Sequence, residues 1–169
     1  MTTRWRYAAK MTTHTPVRRL LLVYGGHPGG RTEQLRLAVE RGAAPFAPSV
    51  ELLVRHALEC GVNDLLAADG ILLGTPEHFG YMSGALKDFF DRTFYPAEGK
   101  MAGRPYALFV SAGTDGTGTL RSVERIVTGY GWTAVAAPLL VVGPVTPEDL
   151  RQAEELGATL SAGLEAGIF

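Results

Sequence analysis

The sequence predicts an α/β fold in which a parallel sheet of five strands carries helices on both faces. Apolar runs of strand length alternate five times with helical patterns along the chain. Strict alternation is typical of βαβ units, which build parallel sheets through right-handed crossovers. Of the two common strand orders for such open sheets, a domain with five strands favours the order 2-1-3-4-5.

Each predicted strand is an apolar run bounded by glycine, proline or polar residues. The run from Leu20 to Val23 is continuous rather than alternating, which indicates a first strand buried on both faces. Pro138 interrupts the last run and suggests a bend or a sheet edge there. The five predicted strands cover residues 18–24, 49–55, 70–74, 104–111 and 133–142.

Each strand is followed by a helical pattern with recognisable end signals. Gly42 is a natural stop for the first helix, predicted over residues 31–41. Asn63 is expected to cap a short second helix, and Ser83 to cap the third. The fourth helix follows residue 118. Thr146 followed by Pro147 is a strong start for the fifth.

Length and composition indicate a globular protein of one domain. The chain has 169 residues, of which 46% are hydrophobic and 20% charged, enough for a core of ordinary composition. Residues 1–16 are polar and basic and have no periodicity. We therefore predict a disordered tail over residues 1–16 and a folded domain over residues 17–169.

Charge and residue content argue against several kinds of partner. A net charge of -1 favours neither nucleic acid nor an anionic membrane. The single cysteine, Cys60, provides neither a disulfide nor a cysteine-based metal site within one chain. His27, His56 and His78 lack metal-ligand spacing, so no metal is expected. With neither an apolar span nor a signal-peptide pattern, the expected location is the cytoplasm.

The segment after the first strand, residues 25–30 (loop one), is a candidate phosphate site. Gly29 and Gly30 lie just before a predicted helix, where free amides and the helix dipole favour an anion. Thr32 adds a hydroxyl and Arg31 a guanidinium. The segment is neither a Walker A loop nor a clean GxGxxG motif, and an ordinary glycine-rich turn is an equal alternative for this loop alone.

Two further loops are expected at the same edge of the sheet, because they follow the third and fourth strands. Loop two, residues 74–82, contains Phe79 and Tyr81, which offer faces for stacking, and Gly80, which permits close backbone approach. Loop three, residues 112–118, is rich in glycine and threonine. Together the two loops could hold a planar ring between them. A phosphate and a planar heteroaromatic ring make a mononucleotide, and FMN suits the spacing.

These loops also resemble those of a known family. Residues 74–80, followed by residues 83–87 and 91–92, resemble flavodoxin-like NADPH-dependent FMN reductases and tryptophan-repressor-binding-protein-like NAD(P)H:quinone oxidoreductases. Residues 29–35 resemble the phosphate loop of the reductases, in which a serine-proline often precedes Gly-Asn-Thr-Glu; this chain has His27-Pro28 and Arg31 at the matching places. Residues 111–116 resemble the third flavin loop of the quinone oxidoreductases. The resemblance extends over residues 20–142.

The resemblance implies a flavodoxin-like three-layer fold and an FMN-binding enzyme. It would reduce a small acceptor, a quinone or a flavin, with NADPH or NADH by hydride transfer through the flavin, and it would form a homodimer or homotetramer. Loop one and the adjoining helix start would hold the phosphate, residues 77–80 the isoalloxazine, and residues 112–116 its other edge. The implied cofactor-binding residues are His27, Gly29, Gly30, Arg31, Thr32, Thr75, Pro76, Glu77, His78, Phe79, Gly80, Ala112, Gly113, Thr114, Asp115 and Gly116. No catalytic side chain is expected, because the chemistry belongs to FMN.

Several alternatives stay open from the sequence. The rival function is a flavodoxin-type electron carrier that takes electrons from a protein partner, although a net charge of -1 gives no sign of the charged patch that such docking uses. A flavin-fold scaffold without a redox role is a third possibility. Phe79 could be a core aromatic instead of a ring contact. His78 is expected to be exposed or to make a backbone contact, and Asp115 could simply set its turn.

Overall fold

In a computed structural model, which describes residues 16–169, one sheet forms the centre of the molecule. Its parallel strands are β1 (Arg18–Tyr24), β2 (Val50–His56), β3 (Gly70–His78) and β5 (Pro105–Ala112), in the order β2-β1-β3-β5. The short strands β6 (Thr133–Ala134) and β7 (Leu139–Val142) both pair in parallel with the outer side of β5. A two-residue strand, β4 (Tyr81–Met82), pairs antiparallel with the end of β3.

This topology confirms the predicted fold class and strand order, with one correction at the edge. The fifth strand, predicted as one segment over residues 133–142, is two pieces. Thr133 pairs with Pro105 and Leu139 pairs with Phe109, so two extra residues lie between the pieces. Pro138 stands at the break, where it has no N–H to donate to the ladder.

Within residues 16–169, five helices cover the sheet: α1 (Arg31–Ala43), α2 (Val62–Leu66), α3 (Gly84–Ala97), α4 (Thr117–Tyr130) and α5 (Pro147–Ala166), with a 3-10 turn at Ala44–Phe46. Ser83 caps α3, since its hydroxyl accepts from the Leu86 N–H at 3.3 Å. Thr146 caps α5 in a capping box with Asp149. Both predicted caps are confirmed.

Two helix ends differ from their predictions. Gly42 does not stop α1 but lies inside it, since the helix continues to Ala43. A Cβ at this position would come within 1.9 Å of the Glu154 carbonyl oxygen of α5. The glycine therefore permits close packing of α1 on α5. Asn63 does not cap α2; Gly61 does, and its N–H donates to the Asp64 carboxylate at 3.0 Å.

The core has two layers, one on each face of the sheet. On one face Leu20 and Leu22 of β1 pack with residues of α1 and α5; on the other, Leu21 and Val23 pack with residues of α2, α3 and α4. The burial of successive β1 residues on opposite faces confirms the double-sided strand. Across residues 16–169, no helix has both the length and the apolar character needed to cross a bilayer.

The predicted tail over residues 1–16 lies, except for Pro16, outside the described residues. The domain boundary after it therefore stays a prediction.

Candidate functional site

The three predicted loops meet at the carboxyl edge of the sheet, because β1, β3 and β5 are parallel neighbours. The Gly25 N–H at the start of loop one donates to the Gly74 carbonyl at 2.8 Å. A Cβ on Gly25 would lie 2.1 Å from the Ser83 hydroxyl at the start of α3. Loop one is thus packed directly against loop two and the helix that follows it.

Loop one leads into α1 through an uncapped helix start. Gly30 is the N-cap residue and supplies no side chain to the first-turn amides, which the helix itself leaves without partners. Gly29 has a φ of +75°, and no atom lies within 4 Å of the place where its Cβ would be. His27 is exposed, with Nδ1 3.1 Å from the Pro28 carbonyl oxygen. The Gly30 N–H donates to the His27 carbonyl at 3.2 Å, so the groups left for an anion here are the first-turn amides of α1.

Glu33 is a functional candidate that the site prediction missed. Its carboxylate accepts from the Gly29 N–H at 2.6 Å. That hydrogen bond, with the nearby Arg36 guanidinium, holds the pKa of Glu33 below its usual range. An acid at the third helical position is a known N-terminal signal, and this signal could have placed Glu33 beside loop one.

Arg31 and Thr32 link loop one to the other side of the site. The Arg31 guanidinium donates to the carbonyls of Ala112 at 2.8 Å and Gly143 at 2.6 Å. The buried Thr32 hydroxyl lies 2.8 Å from the Ser111 hydroxyl at the end of β5. Both side chains therefore bind protein groups, which leaves the first-turn amides of α1 to face an anion. Gly143, which follows β7, carried no sequence signal for this role.

Glu77 holds loop three in place. One carboxylate oxygen accepts from the Gly113 N–H at 3.1 Å, the Thr114 N–H at 2.9 Å and the Thr114 hydroxyl at 2.8 Å. The other accepts from the Gly116 N–H at 3.1 Å. These bonds, those of Thr114 foremost, hold the pKa of Glu77 below its usual range. Loop three is thereby fixed relative to loop two.

Asp115 sets the local turn at the end of loop three. Its carboxylate accepts from the Thr117 N–H at 3.0 Å and the Thr117 hydroxyl at 2.9 Å. These bonds lower the pKa of Asp115. The turn-setting interpretation of this residue fits the structure.

Loop two is a tight hairpin rather than an irregular loop, which corrects the predicted end of the third strand. β3 continues to His78, and His78 pairs with Tyr81 across a two-residue turn. The turn residues Phe79 and Gly80 have φ values of +54° and +73°, as in type I′ turns. The Gly80 carbonyl would be 2.1 Å from a Cβ on Gly118, so the first turn of α4 supports the hairpin.

Phe79 is fully exposed at the hairpin tip, so the core interpretation of this residue is wrong. It is the one residue other than glycine with positive φ within residues 16–169. A left-handed conformation costs a residue with a side chain roughly 1–2 kcal/mol, and such strain is concentrated at functional sites. His78 is exposed as well, as expected.

Below the hairpin, buried Thr75 orders the return of the chain. Its hydroxyl accepts from the Ser83 N–H at 3.0 Å and donates to the Pro76 carbonyl at 2.9 Å. Pro76 pairs with Ser111 of β5. The hairpin therefore rises from a rigid base beside loop three.

The arrangement suits an anion at the start of α1 and a flat group between the hairpin and loop three. Over the described part of the chain, no group of three or more histidine, cysteine, aspartate or glutamate residues is placed to hold a metal ion. The sixteen predicted site residues all lie in the three loops or directly beside them.

Comparisons with known proteins show which sequences this chain is similar to. A family model described as NADPH-dependent FMN reductase matches residues 56–144. A protein of Solidesulfovibrio magneticus named NAD(P)H dehydrogenase (quinone) is 30% identical over 121 residues, 69% of this chain and 60% of its own length. One of the same name from Acidithiobacillus ferrooxidans is 33% identical over 112 residues, 63% of this chain and 56% of its own length. The chain thus spans less than two thirds of these relatives.

Solved structures show the fold alone, since their sequence identities are low. A flavodoxin from the domain Archaea has a TM-score of 0.76 at 20% identity, covering 87% of this chain and 99% of its own. A flavodoxin, WrbA-like protein from Agrobacterium tumefaciens has a TM-score of 0.69 at 21% identity, covering 88% and 98%. The flavodoxin-like fold is therefore confirmed.

Proposed function

The chain belongs to the NADPH-dependent FMN reductase family, and on this premise we propose that it binds FMN and reduces a small acceptor with a nicotinamide donor. The observation that carries the proposal is Phe79, an exposed aromatic residue held at positive φ on the edge where α1 begins. An exposed, strained aromatic side chain beside an open helix N-terminus fits a ligand that joins a ring to a phosphate.

The residues present fit FMN. The N-cap residue of α1 offers no side chain to the first-turn amides, which leaves these amides for a phosphate, while the Gly29 N–H is held by the Glu33 carboxylate. The hairpin tip and loop three stand next to each other, held by Glu77. A ring placed there would meet the Phe79 side chain and the backbone of loop three, whose Gly113, Thr114 and Gly116 N–H groups are held by Glu77.

Each part of the site has a distinct task in this proposal. The free amides in the first turn of α1, that of Thr32 among them, would bind the phosphate. The Gly29 N–H is held by the Glu33 carboxylate and would join them only if that carboxylate moved away. Arg31 keeps loop one and loop three at a fixed separation. Backbone groups from Thr75 to Gly80 and from Ala112 to Gly116 orient the isoalloxazine. FMN, when bound, supplies the hydride chemistry. No side chain at this edge is required as a nucleophile or general base.

The acceptor, assembly and location belong to the same proposal. The names of the relatives support a quinone as acceptor, and a flavin is the alternative. We propose a homodimer or homotetramer located in the cytoplasm. No partner besides the cofactor, the donor and the small acceptor is part of the proposal.

A titration tests the cofactor assignment. Protein freed of flavin is titrated with FMN and, separately, with riboflavin, which lacks the phosphate, while flavin fluorescence is followed. Because hydrogen bonds to the charged phosphate are formed by FMN alone, we expect the protein to bind FMN at least about tenfold more tightly than it binds riboflavin. The loaded protein is then supplied with NADPH and a benzoquinone, whose reduction is expected to depend on FMN. Failure to retain FMN, or equal affinity for both flavins, overturns the assignment.

A further inference from the structure

A continuous groove runs between α3 and α4, away from the hairpin. Its first part, of about 500 Å³, begins at Tyr81 and is lined by Lys87, Arg121 and Arg125. Its second part, of about 310 Å³, continues past Lys87 and Arg125 to Tyr95. The two parts share their central lining residues, so the groove begins beside the proposed flavin edge and extends down the helices.

The floor of the groove is apolar and both ends carry exposed aromatic rings. Phe94 and Ile126 are half-buried along it, and a Cβ on Gly129 would lie 3.0 Å from the Phe94 ring. Tyr81 is 42% exposed and Tyr95 is 78% exposed. Tyr95 stands eight residues after Lys87 on α3, about 12 Å along the helix axis.

The walls of the groove are positively charged, in contrast to the chain as a whole. Lys87 is paired with Asp91, to which it donates two hydrogen bonds at 2.6 and 2.8 Å. Within residues 16–169, no carboxylate oxygen comes within 4.0 Å of the exposed guanidinium of Arg121 or Arg125. These two arginines stand one turn apart on one face of α4, where like charges repel each other. Arg121 lies near enough to Asp115 to help lower the pKa of that carboxyl, but neither arginine forms an ion pair among the described residues, so the groove carries a net positive charge on a chain whose net charge is -1.

We infer that this groove binds the phosphates of the dinucleotide donor. Arg121 and Arg125 bind the pyrophosphate and any ribose phosphate, because guanidinium groups match phosphate oxygens in charge and geometry. The nicotinamide end then reaches the hairpin at Phe79, and the adenine end lies toward the exposed ring of Tyr95, which packs edge-on against Phe94. This inference rests on the proposed function, since it assigns a place to the donor of that reaction.

A second copy of the chain is the main alternative occupant. The unpaired charges favour the dinucleotide, because an isologous contact between two copies would bring the arginines of both copies into one surface. The dinucleotide is also favoured because the groove is continuous with the hairpin. A donor must reach the flavin edge, whereas a protein partner has no such requirement.

The test compares two donors in the FMN-loaded protein. One is NADPH; the other is 1-benzyl-1,4-dihydronicotinamide, which carries the reducing ring without any phosphate. In the variant Arg121→Gln/Arg125→Gln, the dissociation constant for NADPH is expected to rise about tenfold for each arginine, while reduction by the truncated donor stays within about twofold of the parent. The matched control is Arg41→Gln/Arg151→Gln, which removes two charges from exposed ion pairs on α1 and α5.

A binding measurement without turnover separates this inference from the proposed function. Calorimetry with 2′,5′-ADP, which carries phosphates but no nicotinamide, is expected to show binding to the parent and control and weak binding to the groove variant. If neither donor reduces the flavin while 2′,5′-ADP binding still depends on the two arginines, the reductase proposal fails and the groove site stands. Unchanged affinity for both NADPH and 2′,5′-ADP in the variant overturns the groove site. If the variant keeps its nucleotide affinity but changes its oligomeric state in sedimentation, the surface binds a second copy of the chain, and the groove site is overturned equally.

Discussion

Replacement of Glu77 by glutamine tests how loop three is held. The carboxylate of Glu77 accepts four hydrogen bonds, three on one oxygen and one on the other. A glutamine amide has one oxygen, which can keep the three bonds as neutral ones. Its NH₂ group then faces the N–H of Gly116, and that hydrogen bond is lost.

The expected magnitude follows from these contacts. A hydrogen bond to a charged group contributes about 1.5–3 kcal/mol and a neutral one about 1 kcal/mol, so exchanging four charged bonds for three neutral ones gives a gross loss of about 3–9 kcal/mol. Water reaches this edge and replaces much of that loss. A net weakening of loop three by about 1–2 kcal/mol remains, which is a factor of roughly 5–30. If loop three must be ordered to hold the ring, FMN affinity falls by a similar factor.

Two measurements on Glu77→Gln check the reasoning. Hydrogen exchange at the amides of Gly113, Thr114 and Gly116 is expected to accelerate about 5–30-fold, and FMN titration to show the matching loss. Glu59→Gln, which removes the same charge at an exposed position, is the control and should change neither. Unchanged exchange at loop three in Glu77→Gln would refute the role of this carboxylate. Faster exchange with unchanged FMN affinity would separate loop three from the cofactor.

Three further predictions concern strain, packing and pH. Phe79→Asn places asparagine before glycine, the preferred pair for this turn, so thermal unfolding should show about 1 kcal/mol more stability while FMN titration shows weaker binding. Gly42→Ala drives a Cβ toward the Glu154 carbonyl oxygen and should cost about 1–3 kcal/mol or more in denaturant unfolding. The lowered pKa values of Glu33 and Glu77 mean that their stabilisation is present above the usual glutamate range. It should be lost as pH falls below about 4, as measured by urea midpoints across pH.

The controls for these predictions lie elsewhere in the chain. Gly84→Ala adds a Cβ with no atom within 4 Å, so it should be neutral or slightly stabilising; a loss equal to that of Gly42→Ala would contradict the packing argument. A lower melting temperature in Phe79→Asn would contradict the strain argument. The double variant Glu33→Gln/Glu77→Gln should flatten the acid limb of the stability profile, and an unaltered limb would contradict the pH argument.

The features predicted well from the sequence are those encoded locally. The continuous apolar run of β1 predicts burial on both faces, and Thr146 with Pro147 marks the start of α5 within one residue. The edges of three parallel strands must coincide once the strand order is known. Hydrophobic pattern and topology together therefore place the three loops at one edge.

The features that were missed depend on distances between segments far apart in the chain. Arg31 reaches Gly143, 112 residues away, and only the folded chain brings them together. Gly42 has the same local appearance as a helix stop, but its role comes from the approach of α5. The hairpin at Phe79 is predicted as a loop because β4 has only two residues, too few to show the alternating pattern of a strand among glycine, proline and aromatic residues. The cofactor roles of the site residues stay predictions.

Anaerobic reduction of the loaded protein tests the central claim most directly. The protein is loaded with FMN, freed of excess flavin and oxygen, and mixed with NADPH or NADH while the absorbance of oxidised flavin is followed. The account predicts rapid bleaching by a nicotinamide donor alone, without any protein partner. Flavin that stays bound and oxidised with both donors would contradict the reductase assignment and identify an electron carrier that depends on a protein donor.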